Sequence, residues 1–121
     1  MVATFNYHDY PNVKILLGEN ITSDNDFKSI TTEWLNLYDQ KKNFTLEFDT
    51  KELKYVNIKY CLYMTFFIKK LKNKNPQYLQ KSKIYIYNNY IFKLAKYIFY
   101  IEKPVALVEL IYNSQIIIVK P

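Results

Sequence analysis

Glu47 and Asp49 stand two residues apart in Phe44-Thr45-Leu46-Glu47-Phe48-Asp49, a run in which apolar and polar residues alternate. In an extended strand such residues share one face about 7 Å apart, and two carboxylates at that spacing could divide the acid and base roles of a reaction. That chemistry needs a pocket on which both converge, whereas a solvated sheet face is the ordinary place for such a pair. Asp49 falls at the carboxyl end of its strand, where open α/β sheets bind ligands, so small-ligand binding on this face is one reading. His8 and Asp9 are adjacent, which in a strand sends them to opposite faces, and His8 reads as a surface residue. The single cysteine, Cys61, lies in an apolar helical stretch far along the chain from His8, so a Cys/His nucleophile pair is not expected. With one glycine the chain can build neither a phosphate-cradling loop nor a nucleophile elbow. One Cys and one His give no metal cluster and no disulfide framework. The expectation is a protein that is not an enzyme and needs no cofactor or metal.

Binding chemistry has a better candidate in the turn Thr50-Lys51-Glu52-Leu53-Lys54-Tyr55-Val56-Asn57 and the helix after it. Asn57 is the right type to cap that helix, its side-chain oxygen accepting a backbone N–H two or three residues on. Helix amino ends attract acidic groups. Thr50, Lys51, Lys54, Asn57, Lys59 and Tyr60 are therefore the candidate partner-binding residues. A second, electrostatic candidate is Lys69, Lys70, Lys72 and Lys74, four cations that also complement the carbonyl pole of the helix they end.

The elements that must position these residues follow from periodicity. Phe44, Leu46 and Phe48 alternate toward a core. From Ile58 to Lys72, Tyr60, Tyr63, Met64, Phe67, Ile68 and Leu71 recur at helical spacing, and Ile58, Cys61, Leu62 and Phe66 widen the stripe until the helix reads as buried. Upstream, residues 2–10 form a strand with Phe5 and Tyr7 inward, and Val13–Leu17 a second, with Gly18-Glu19-Asn20 as the turn of a hairpin. Ser23, with Asp26 three residues on, caps a helix carrying Phe27, Ile30, Thr31, Trp34, Leu35 and Tyr38. Downstream come a short buried strand at Ile84–Tyr87, a helix capped at Asn88-Asn89 with Ile91, Leu94, Ala95 and Ile98 inward, a strand from Val105 to Ile111, a turn at Asn113-Ser114 and a last strand, Ile116–Val119. The predicted architecture is one α/β domain over residues 1–121, a single mixed sheet in the order ββαβαβαββ with helices mainly on one face.

Leu46-Glu47-Phe48-Asp49-Thr50, followed by Tyr55-Val56-Asn57-Ile58-Lys59-Tyr60-Cys61-Leu62, resembles the strand, loop and helix of the STAS family, which includes the bacterial anti-sigma-factor antagonists, and of the related SiaC-type regulatory phosphoproteins. In element order the likeness extends over roughly residues 20–112. The resemblance implies a fold that binds a partner protein, often a serine kinase, through this loop and helix start, where an Asp-Ser-Xaa-Gly-like motif carries the phosphorylated residue. Here Asn57 stands at the Asp, Ile58 at the phosphoacceptor and Tyr60 at the Gly. Ile58 has no hydroxyl, so the family's switch does not carry over; only Thr50, at a different point of the turn, could substitute as a phosphosite, and the resemblance implies a docking surface around Asn57 and Lys59 without the usual phosphoacceptor.

Composition narrows the setting. All 17 basic residues are Lys, and the +6 net charge is carried without a single guanidinium, which disfavours bidentate readout of bases or phosphates. Nonspecific binding to nucleic acid or an anionic membrane is accordingly the minor alternative. No apolar run is long enough to span a bilayer, and the amino end lacks a secretory pattern, so a cytoplasmic location is expected. Ile116-Ile117-Ile118-Val119 at a sheet edge would favour a homo-oligomer. The expected role is a regulatory or scaffolding module that binds a protein.

Overall fold

In the computed structural model, residues 2–121 are described. They form β1 (Ala3–Asn6), β2 (Asn12–Leu17), β3 (Asn20–Ile21), α1 (Asp24–Tyr38), β4 (Phe44–Asp49), β5 (Tyr55–Val56), α2 (Ile58–Leu71), β6 (Leu79–Tyr85), α3 (Asn89–Ile101), β7 (Leu107–Tyr112) and β8 (Gln115–Val119). Six strands make one sheet in the order β1-β2-β4-β6-β7-β8. The four inner strands are mutually parallel, and an antiparallel hairpin closes each edge. Consecutive parallel strands lie side by side, and right-handed crossovers that advance in one direction deliver every helix to the same face. The expected mixed sheet with helices on one face is what forms.

Alternation decides which side chains meet the helices. Val13 and Ile15 on β2, Phe44 and Leu46 on β4, and Val108 and Leu110 on β7 are buried. Their neighbours Lys14, Glu47 and Glu109 face the other way, aligned with Lys83 of β6 in one cross-strand row of alternating charge. Opposite charges in register support the sheet. Lys81 pairs with Glu109 at 3.0 Å on the same face.

The helix caps follow the sequence. Ser23 Oγ accepts the Asp26 N–H at 3.1 Å, Asn57 Oδ1 the Lys59 N–H at 3.0 Å, and Asn88 Oδ1 the Ile91 N–H at 2.9 Å. Asn113 and Ser114, both at positive φ, make the two-residue turn between β7 and β8.

Several boundaries differ from the expectation. The hairpin turn of β1 and β2 lies at residues 7–11, closed by bonds from Tyr10 N–H to the Tyr7 carbonyl and from Asn12 N–H to that of Asp9, at 3.0 and 2.9 Å. Gly18 leads instead into β3, which pairs parallel with β5 to form a separate two-stranded sheet. Two-residue strands have no period to read. Tyr7 lies beyond β1 and is exposed, its hydroxyl bonded to Glu33 of α1. β6 begins at Leu79, five residues before the predicted start, because a register shift beside Phe44 and Thr45 skips Gln80 and breaks the alternation.

Candidate functional site

The turn after β4 is pinned rather than loose. Lys54 N–H donates to the Glu19 carbonyl at 2.7 Å and Asn57 N–H to that of Ile21 at 3.0 Å, bonds that frame the β3–β5 pair. Leu53 and Val56 are buried beneath it. Tyr55 lies outside and stacks on Tyr90 of α3 at 6.5 Å with the rings within 9° of parallel, while the Tyr90 hydroxyl donates to the Val56 carbonyl at 2.9 Å. The amino ends of α2 and α3 are thereby held side by side. At the far end Lys72 pairs with Glu102, so the two helices are joined at both ends.

Of the predicted partner-binding residues, Lys51, Lys54 and Lys59 are exposed and Asn57 is half-buried as a cap. Thr50 and Tyr60 are corrections. Thr50 is only 3% exposed and its hydroxyl donates to the Tyr85 carbonyl at 2.7 Å, so it offers neither a contact surface nor an accessible phosphosite. The polar end of a strand is expected at solvent, but this residue closes the gap between β4 and β6. Tyr60 is 4% exposed, stacked on Phe27 of α1, and its hydroxyl donates to Asp24 Oδ1 at 2.8 Å.

Asp24 gathers the amino ends of α1 and α2. Lys59 Nζ lies 3.6 Å from it and over the rings of Tyr60 and Tyr63 at 5.2 and 5.6 Å. The Tyr60 hydrogen bond, and then the Lys59 charge, hold the Asp24 carboxyl below its ordinary value. The stability this tether contributes is therefore full above the usual carboxylate range and is lost as pH falls through that range to the lowered value of the folded chain.

The outward face of α2 departs most from expectation. Ile58, Leu62 and Phe66, spaced at i, i+4 and i+8, run along the side turned away from the sheet, with Ile58 53% and Phe66 67% exposed. Tyr63 is exposed beside them. The helix is central in its layer, but it is not buried all round: in a two-layer fold nothing lies above it. On α3, Tyr90, Tyr97, Tyr100 and Ile101 are exposed as well. The cations on these two helices are Lys59, Lys69, Lys70, Lys93 and Lys96, and neither helix contains an acidic residue. The result is an apolar, aromatic surface with a basic margin. Leu62 and Phe66 were absent from the sequence-derived candidates because their apolar character assigned them to the core.

The lysine cluster is partly engaged. Lys72 pairs with Glu102 and Lys74 Nζ stands 5.8 Å over the Tyr38 ring, leaving Lys69 and Lys70 to add to the margin of α2. On the opposite side of the sheet Glu47 and Asp49 are half-buried, and in register Lys14 and Lys83 flank Glu47. Among the described residues no three His, Cys, Asp or Glu side chains come together as a metal site, and no helix is long and apolar enough to cross a membrane.

Cys61 is a buried residue of α2, and burial pushes its thiol up to about 11. Since the thiolate is the reactive form, alkylation of the native protein at pH 8 should run roughly a hundredfold slower than that of an ordinary thiol. Adding denaturant should restore the normal rate, as mass spectrometry of iodoacetamide-treated samples will show. Prompt labelling of the folded chain would contradict the burial. Compared with known proteins, the chain matches no protein-family model, no curated protein and no solved structure.

Proposed function

We propose that this protein is a non-enzymatic regulatory or scaffolding module that docks a protein partner on the amino end and outward face of α2. The observation that carries the reading is the exposed stripe Ile58, Leu62 and Phe66. Larger contiguous apolar patches on a soluble protein, above a few hundred Å², commonly mark interaction sites. An apolar ridge at i, i+4 and i+8 is also how one helix meets another. With Lys59, Lys69 and Lys70 at its margin and no acidic residue in the helix, the complementary partner is an amphipathic segment with an acidic flank. The likeness of residues 46–62 to the STAS family supports the same place on the fold. It does not extend to a phosphorylation switch, since Ile58 cannot be modified and Thr50 is enclosed.

The test is affinity capture with the wild-type chain and with a Lys59→Glu, Leu62→Glu double variant. The reading expects one defined partner that the variant no longer retains. A partner retained equally by both would overturn it.

A second reading, self-association, is favoured by β8. It forms the sheet edge and exposes Ile116, Ile117 and Ile118 without a charge between Gln115 and Val119. An edge of that kind pairs readily with a second copy. Sedimentation should show a mass that rises with concentration for the wild type and stays at 14.7 kDa for Ile117→Lys. A wild type that remains monomeric at hundreds of micromolar excludes pairing through this edge.

A further inference from the structure

The helix layer does not close fully over the middle of the sheet. Ile84 stands on β6 in register with Phe48 and Leu110, which are 8% and 1% exposed, yet Ile84 itself is only partly buried. Across the same space Leu94 and Ile98 of α3 are partly buried as well. A cavity of about 170 Å³ fills this gap, walled almost wholly by apolar side chains of the helices and the sheet. A cavity of about 150 Å³ lined by apolar residues stays free of water and accepts benzene, so a molecule of roughly that size fits here.

On the sheet side, the wall carries one polar group that the fold leaves unused. Ser82, 5% exposed, stands in register between Leu46 and Val108, both buried on the face that meets the helices, and its side chain joins the cavity wall. Among the described residues no group hydrogen-bonds to the Ser82 hydroxyl, and it is not sealed off as the Trp34 nitrogen is. Thr50 and Tyr60, also on the wall, already donate to the Tyr85 carbonyl and to Asp24. Cys61 adds only a thiol, a weak donor. A buried hydroxyl without a partner carries a desolvation penalty that a hydrogen bond removes. Water suits the place poorly, because a buried water needs two to four polar partners and Ser82 is one.

We infer that this cavity is a binding site for a small neutral molecule, apolar except for one hydroxyl, which hydrogen-bonds to Ser82 Oγ. A serine hydroxyl both donates and accepts, so it can serve a ligand hydroxyl in either sense. A charged ligand is excluded, since no ionised side chain lines the wall to compensate for its desolvation. The site lies beneath the helices, so it is independent of the docking surface on their outer side.

Phenol and toluene have nearly the same shape, and only phenol has a hydroxyl. Calorimetric titration of the wild-type chain should show both binding. Ser82→Ala should leave toluene affinity no weaker and lower that of phenol about tenfold or more, since its hydroxyl is then enclosed without a partner. Ala95→Leu, which fills the space, should abolish binding of both, with thermal melts confirming that each variant is folded. Where Ala95→Leu fails to fold, the Ser82→Ala comparison decides alone. Where Ser82→Ala fails to fold, NOEs between the phenol ring and the Ser82 β-protons in the wild type decide. A phenol-to-toluene affinity ratio unchanged by Ser82→Ala, no binding of either compound up to its solubility limit, or the absence of those NOEs would overturn the assignment.

Discussion

Replacing Phe66 with glutamate is expected to leave the fold intact and to weaken docking by at least about 2 kcal/mol, the scale on which a central interface aromatic acts. That corresponds to a loss of roughly thirtyfold or more in affinity. Phe66 is 67% exposed and touches solvent on the side of α2 that no other layer covers, so the free protein loses little by the change. Surface substitutions of this kind usually fall within about 0.5 kcal/mol in stability, and glutamate is a better helix former than phenylalanine. The docked state loses more than the buried ring, because a new carboxylate faces an acidic flank. Leu16→Glu is the matched control: Leu16 is also exposed and apolar, but its strand directs it to the opposite face of the sheet, between the inward Ile15 and Leu17. Binding curves for the three proteins, with thermal melts alongside, separate a lost contact from a lost fold. Equal weakening by both substitutions would place the interface elsewhere.

Phe44→Ala should cost about 3–5 kcal/mol of folding stability, the range for removing a fully enclosed aromatic ring. Phe44 is 1% exposed at the head of β4, a strand flanked by β2 and β6, and its ring meets Tyr38 edge-on at 5.2 Å. A domain of this size is held by about 5–15 kcal/mol in all, so the loss removes between about a fifth and the whole of its stability. Trp34, buried against Phe48 and Phe67, reports the transition by fluorescence in urea. A cost below about 1 kcal/mol would mean that β4 is not central to the core. The same strand sets where α2 starts, so a partly unfolded Phe44→Ala protein should also lose docking in proportion to its unfolded fraction.

The sheet was legible because β4 alternates and because each helix begins at a residue whose side chain caps it. Ser23, Asn57 and Asn88 could be read directly. β3 and β5 could not, since two residues carry no period, and Gln80 hid the first half of β6 by slipping out of register. The proposed docking surface is half legible. The apolar arc of α2 is plain in the sequence and its breadth reads as core, although helices confined to one face of a single sheet leave every helix with an uncovered side. Ile58, Leu62 and Phe66 exceed what one sheet face can bury, and that excess was the available signal. Thr50 and Tyr60 show the reverse case: polar side chains near a turn that pack inward because the Tyr85 carbonyl and Asp24 accept their hydroxyl protons.

The docking claim meets its most direct test in site-specific photo-crosslinking, with benzoylphenylalanine placed in turn at positions 66 and 16 of the full chain in the cells that express it. One defined protein adduct is expected from position 66, lost when Ile58→Glu is added, and none from position 16. Adducts of equal yield from both faces, or an adduct from position 16 alone, would contradict it.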